Sequence, residues 1–303
     1  MLKAAMKKFL TKKQAKNKES LMAEITAAMV KSLREKTGLG MGKCNEALKA
    51  ANGDENLAIE NLRKAGLSAG AKKSDREAKE GMIVTAEDAN SIVLLEGNVE
   101  TDFVANNESF KNFMNDVVGH ALKTLPAVMQ DLLGQPHPKD PSITVEQSRN
   151  LHVAKLGENV VLSRVEVMRK NTNSSYGIYS HGSKLVVVVE VEGASDQAEV
   201  AKNVAMHVAA TNPEYVNPSQ IPASVVEKEK EIAREQVKGK PENIIEKIVA
   251  GKLKAREDEI CLVNQKFVMN PDQTVQQYVE SCGKTAGKNL SVRAFTRWRV
   301  GQS

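Results

Sequence analysis

Glycine–lysine pairs are the first residues in this chain whose types and spacing could do chemistry. A loop of the form Gly-x4-Gly-Lys-Ser/Thr turns its backbone amides onto a phosphate. Gly42-Lys43 is followed by Cys44 in place of Ser or Thr, and Thr37 stands where the first glycine belongs. Gly283-Lys284-Thr285 has the right end, but Tyr278 occupies the first glycine position. Neither segment can form the cradle. No nucleophile elbow, His-Glu-x-x-His pair or kinase-type set is recognised, so side-chain catalysis has no constellation to work with. Cys44, Cys261 and Cys282 are odd in number and far apart, and the five histidines lack ligand spacing. That pattern points to reduced thiols in a cytosol-like compartment and to neither a zinc site, a disulfide framework nor a cofactor.

One stretch, Thr101 to Asn106 (TDFVAN), is different. Asp102 and Phe103 fall in a connection flanked by the polar Glu100, Asn106 and Asn107. A large aromatic there either packs down on its own domain or projects toward a partner. The adjacent carboxylate favours projection, because an acid beside a buried ring needs a partner of its own. His181-Gly182, at a turn before a strand, reads first as plain structure. Arg293, Arg297, Trp298 and Arg299 line a terminal strand that either faces RNA or forms a solvated sheet face with Trp298 in the core, and the second fits better.

The elements that must carry these residues follow from periodicity. Ile25, Met29 and Leu33 form a helical stripe closed by Gly38; Cys44, Leu48 and Ala51 form a second, closed by Gly53; Asp54 caps a third helix, with Ala58 and Leu62, closed by Gly66. Residues 68–80 have no apolar period and read as a linker. Strands are expected at Met82–Thr85 and Ile92–Leu95, then a helix with Phe110, Phe113, Met114 and Val117 on one face. A similar unit recurs as a strand from Leu185 to Val191 and a helix from Ala198 to Ala210. The first copy is longer between strand and helix by about the length of TDFVAN, which suggests two related α+β halves. Between the copies come a loop with Pro136, Pro138 and Pro141, a helix from Thr144 to Leu156 and a strand from Val160 to Val167. Charged helices at Ser224–Lys238 and Glu242–Asp258, joined at Gly239 to Pro241, call for a hairpin. A helix near Thr274–Cys282 and a strand at Ser291–Val300 follow.

Length and charge bound the function. A chain of 303 residues can hold two or three domains. Its longest apolar run, Leu185 to Val189, is far short of a membrane span. The formal net charge of +5 is concentrated in residues 1–21, which hold seven lysines against Glu19. The body is therefore close to neutral, and a broad nucleic-acid surface is not expected.

With these segments in view, the chain resembles the elongation factor Ts family, closest to its bacterial members. The resemblance runs from Met22 to about Val300 and is carried by MAEITAAMVKSLREKTGLGMGKCNEALKAANGDENLAIENLRKAG, VLLEGNVETDFVANNESFKNF, KLGENVVLSR, YSHGSKLVVVV, MHVAATNPEYVNP, VVEKEKEIA and KFVMNPDQTV. It implies an α+β protein: a ubiquitin-associated-like three-helix domain over 23–67, the linker over 68–80, and two related subdomains with antiparallel sheets over 81–174 and 175–303. The second subdomain includes a helical hairpin over 224–258, and residues 1–22 become a disordered tail. The implied function is non-catalytic guanine-nucleotide exchange on the GTPase EF-Tu, in the bacterial cytoplasm or, alternatively, a mitochondrial or plastid matrix, without cofactor, membrane or direct nucleic-acid contact.

The implied partner surface is Thr101, Asp102, Phe103 and Val104, with the Asp-Phe pair inserted near the magnesium site of EF-Tu so that metal and phosphate contacts are lost and GDP leaves. Arg34, Met41, Val268 and Met269 are implied contacts to the nucleotide-binding domain, and His181 to another part of EF-Tu. Gly42 and Asn45 stand where the family often has methionine and lysine.

Overall fold

The computed structural model describes residues 25–237, 239 and 241–302, so the Lys-rich start expected to be a tail lies outside the described residues. Three helices come first: α1 (Ala27–Thr37), α2 (Met41–Ala50) and α3 (Glu55–Lys73). Thr26 caps α1 through a hydroxyl that accepts the Met29 N–H at 3.3 Å, and Gly38, at φ 66°, ends it. The Asp54 carboxylate accepts the first free N–H groups of α3, those of Asn56 and Leu57. Leu33, Cys44, Leu48 and Ala58 are fully buried between the three helices.

Two series of elements then follow. The first is β1 (Glu80–Glu87), β2 (Ser91–Val99), a one-turn helix α4 (Asp102–Ala105), α5 (Glu108–Thr124), α6 (Met129–Gly134), the hairpin β3 (Pro136–His137) and β4 (Asp140–Thr144), α7 (Val145–Leu156) and β5 (Val160–Arg169). The second is β6 (Ser174–His181), β7 (Leu185–Glu192), α8 (Ala198–Thr211), the helical pair α9 (Ala223–Glu235) and α10 (Glu242–Ile260), the hairpin β8 (Lys266–Phe267) and β9 (Asn270–Thr274), α11 (Val275–Ala286) and β10 (Ser291–Arg299). The architecture is α+β.

These series are one motif written twice. Sheet orders are β1-β2-β5 and β6-β7-β10. In each, the long helix that follows the second strand, α5 and α8, ends on a non-glycine residue in the left-handed region, Leu125 at φ 50° and Asn212 at φ 51°. The two short hairpins share one register, Pro136 with Thr144 and His137 with Asp140, then Lys266 with Thr274 and Phe267 with Asn270. Each hairpin runs into a helix opened by the same capping box, Thr144 with Gln147 and Thr274 with Gln277. Periodicity exposes only the strand–helix part of this repeat. The segment with Pro136, Pro138 and Pro141, expected as a loop, contains the β3–β4 hairpin, because a two-residue strand offers no alternation to detect.

The third helix also differs from expectation: it passes Gly66 and part of the expected linker to end at Lys73. Gly66 is a packing glycine. A β-carbon there would lie 2.9 Å from Leu151 of α7, and one at Gly70 would overlap the Asn150 carboxamide. Two small residues one turn apart let α3 and α7 lie close, and that tertiary contact outweighs the roughly 1 kcal/mol helix penalty of each glycine. Gly66 to Gly70 spell Gly-x-Ser-x-Gly, but inside a helix the letters have no strand-to-helix turn on which to form an elbow.

The chain divides into two compact units: the described residues up to Gly81 with Gly97–Val165, and Met82–Glu96 with Glu166 onward. In the first, Phe110, Phe113 and Met114 are buried, and Phe113 stacks on His152 with ring centroids 4.4 Å apart. In the second, β7 is buried on both faces. Val187, Val189 and Val191 pack on Val200, Val204 and Val208 of α8, while Val186 and Val188 join Ile83, Ile92, Leu94 and Trp298. Burial on both faces is why this strand reads as a continuous apolar run. Gly177 of β6 meets the α8 backbone at Ala201 and Lys202 so closely that no β-carbon fits. Among the described residues no helix is long and apolar enough to cross a membrane, no group of His, Cys, Asp and Glu could hold a metal, and the three cysteines are free thiols.

Candidate functional site

Strand β2 is buried over its whole length, and the chain bends at Glu100 and reaches Thr101 in extended conformation. Thr101 then caps the single turn α4, its hydroxyl accepting the Val104 N–H at 3.4 Å. Three backbone bonds close the turn: Ala105 N–H to the Thr101 carbonyl at 3.1 Å, Asn106 N–H to the Asp102 carbonyl at 2.9 Å and Asn107 N–H to the Val104 carbonyl at 3.0 Å. Asn107 caps the next helix through Ser109 N–H at 2.8 Å. Of the four residues in the turn only Ala105 is buried, and it anchors the turn. Asp102 is exposed, and Phe103 is 84 % exposed. The ring projects; it does not pack on its own domain.

The base of this turn is tied down. Thr101 donates both its N–H, to Glu158 Oε2 at 3.0 Å, and its hydroxyl, to Glu158 Oε1 at 2.7 Å. In the same place Asn159 donates its N–H to Glu100 Oε1 at 2.7 Å, and Arg76 pairs with Glu100 at 3.4 Å. Asn159 also donates its side-chain amide to the Arg76 carbonyl at 2.9 Å. A rigid base beneath an exposed aromatic is a way to present apolar area at low entropic cost on binding.

In the second unit the expected site residues Val268 and Met269 form the tip of the β8–β9 hairpin, 44 % and 52 % exposed. The tip rests on Phe267, which is buried and stacks on Tyr278 at 4.2 Å. His207, fully buried on α8, accepts the Val268 N–H on Nδ1 at 3.2 Å. Its ring proton therefore sits on Nε2, which donates to Gln265 Oε1 at 2.8 Å. Burial holds this imidazole below its ordinary pKa, against the opposing bond to Gln265. The equivalent tip in the first unit carries Pro138 and Lys139, and Lys139 is paired with Asp116 at 2.6 Å. The same hairpin is thus polar and tethered in one copy, apolar and exposed in the other.

The remaining expected residues are carried by other elements. Arg34 is exposed on α1, and Met41, half-exposed, opens α2. No hydrogen bond or ion pair joins either to Thr101–Val104 among the described residues. His181 closes the β6–β7 hairpin opposite Leu185 and is exposed, with Nδ1 3.3 Å from the Tyr179 hydroxyl. Eight large apolar side chains stand exposed among the described residues, and four of them are Met41, Phe103, Val268 and Met269. Isolated exposed apolar residues are ordinary. Phe103 is carried on a supported turn, and Val268 and Met269 on a supported hairpin tip.

Sequence reading did not assign Glu158 or His207. Glu158 lies 57 positions from Thr101, and no local pattern announces such a pairing. The signals that were available are the KLGEN segment and the occurrence of a histidine near the end of each of the two related helices.

The family model described as "Elongation factor TS" matches residues 100–302. The elongation factor Ts of Protochlamydia amoebophila (strain UWE25) is 46 % identical over 282 residues, covering 93 % of this chain and all of that protein. Those of Chlamydia caviae and Chlamydia felis are 40 % and 39 % identical, each covering 92 % of this chain and the whole of the relative. A match of that extent shows the family: the chain belongs to the elongation factor Ts family.

Proposed function

We propose that this protein is a guanine-nucleotide exchange factor that binds EF-Tu in its GDP-bound form and promotes GDP release so that GTP can bind. Support comes first from family membership, then from the surface itself. The observation that carries the reading is Phe103, a fully projecting aromatic on a one-turn helix whose base is fixed by Glu158.

The chain's part in this reading is positional and involves no covalent step. Asp102 and Phe103 enter the GTPase near its magnesium and phosphate site, and the GTPase state that accommodates them holds GDP poorly. Arg34 and Met41 on the helical bundle and Val268 and Met269 on the β8–β9 tip grip the nucleotide-binding domain. His181 meets a different part of EF-Tu. Coupling is reciprocal, so GDP weakens the complex by the factor by which the complex weakens GDP. Taking a nanomolar nucleotide to micromolar affinity requires about 4 kcal/mol of coupling. One rim contact cannot supply that, whereas a supported aromatic wedge with several separate grips can.

The test is release of a fluorescent GDP analogue from EF-Tu under excess unlabelled GDP, with and without the protein. Catalytic amounts of the protein are expected to accelerate release; an unchanged rate over a range of concentrations contradicts the reading.

A further inference from the structure

The geometry points to Glu158 as the positioning residue of the exchange loop, the group that holds Asp102 and Phe103 in their presented conformation. This inference rests on the reading of Phe103 as the wedge.

A single helical turn has no stability of its own, because nucleation fixes several residues for one or two hydrogen bonds. Burial supplies little of what is missing, since Asp102 and Phe103 are exposed, Val104 is half-buried and only Ala105 is fully inside. The remaining support is polar: Asn106 donates its side-chain amide to the Asp102 carbonyl at 3.0 Å, and the other bonds converge on Thr101. Its hydroxyl has one proton, and that proton goes to Glu158 Oε1 at 2.7 Å. With the proton committed, an oxygen lone pair is turned to the Val104 N–H at 3.4 Å, so the carboxylate also orients the cap of the turn. The second carboxylate oxygen takes the Thr101 N–H at 3.0 Å, which fixes the backbone where the chain leaves β2.

The arrangement is reciprocal. Glu158 receives the amide of Thr101, and Glu100 receives the amide of Asn159 at 2.7 Å, so the two connections latch each other through one side-chain-to-backbone bond in each direction. Gly157, at φ 82°, ends α7 and turns the chain so that Glu158 comes next, and its carbonyl accepts a bond from Lys73 at the end of α3. Charge-assisted bonds of this kind are shorter and stronger than neutral ones. A partner that presses on the exposed ring meets a turn that is already fixed.

The experiment is a double-mutant cycle on GDP release from EF-Tu, using the full chain with Glu158→Ala, Phe103→Ala and the pair together. Thr101→Val, which deletes the hydroxyl while keeping the shape, and Thr101→Ser, which restores it, run alongside. Glu158→Ala is expected to slow stimulated release about tenfold, as Thr101→Val does to a lesser degree, with Thr101→Ser near the parent. In the Phe103→Ala background Glu158→Ala is expected to add less than twofold, because a residue that acts through Phe103 has nothing left to position. Amide exchange at Val104 and Ala105 is expected to rise in Glu158→Ala while the urea midpoint holds.

If Phe103→Ala slows release but Glu158→Ala does not, or if the two effects multiply, the positioning role is overturned while the wedge stands. If Phe103→Ala leaves release unchanged, the wedge itself has failed. A large drop in urea midpoint for both Glu158→Ala and Thr101→Val assigns Glu158 to general stability and overturns the inference.

Discussion

Val268 donates its backbone N–H to Nδ1 of the buried His207 at 3.2 Å, so an imidazole in the core fixes the backbone of an exposed apolar tip. That bond requires a neutral ring with its proton on Nε2, and the Gln265 carbonyl oxygen at 2.8 Å accepts that proton.

Replacing His207 with Phe keeps an aromatic ring but leaves the Val268 N–H without its acceptor. The cost in folding stability is expected to be about 1–3 kcal/mol, the usual penalty for a buried unpaired group. Affinity for EF-Tu should fall at the same time, because the tip loses its register. A urea midpoint and a binding titration on one sample check both. Unchanged affinity in a destabilised variant would separate the tip from the interface.

Acid should weaken the first unit through His152. Burial against Phe113 pushes this imidazole down to about 4, from an unfolded value of about 6.5. Between those two values the unfolded chain binds the extra proton, so stability falls as pH falls through that window and levels off below about pH 4. His152→Leu is expected to flatten the slope of urea midpoint against pH between 6.5 and 4. A slope equal to the parent's would assign the acid sensitivity elsewhere, His137 and His120 of the same unit being the next candidates because burial lowers both in the same direction.

Gly177→Ala should be poorly tolerated. The added methyl group would press on the α8 backbone at Ala201 and Lys202, which cannot rotate away as a side-chain end could. The expected loss is about 3 kcal/mol, at the upper end of overpacking costs. A thermal melt checks it, and an unaltered melting temperature would mean that β6 and α8 can separate freely.

Legibility in the sequence followed the reach of each interaction. Helices such as α5 and α8 were readable because one apolar face packs on a continuous core, which writes a period into the sequence. The end of α3 was not, since Gly66 looks like a cap until Leu151 of α7 is placed against it. The β3–β4 and β8–β9 hairpins have strands too short to show alternation, and only the repeated Thr-x-x-Gln box after each of them is visible afterwards. At the candidate site the residue types in TDFVA were legible, but the direction of Phe103 was not. It depends on Ala105 facing inward and on a carboxylate far along the chain. Nor did the helical period separate His207, which faces a hairpin amide, from an ordinary core position.

The account turns on Phe103, whose ring is 84 % exposed and whose turn is held from beneath. The most direct measurement takes Phe103→Ala and records the urea midpoint and the rate of GDP release from EF-Tu on the same preparation. Folding stability is expected to stay within about 0.5 kcal/mol of the parent, as for exposed positions, while stimulated release slows at least tenfold. A loss of about 3–5 kcal/mol, the cost of emptying a core site, or release at the parent rate from a stable variant, would contradict it.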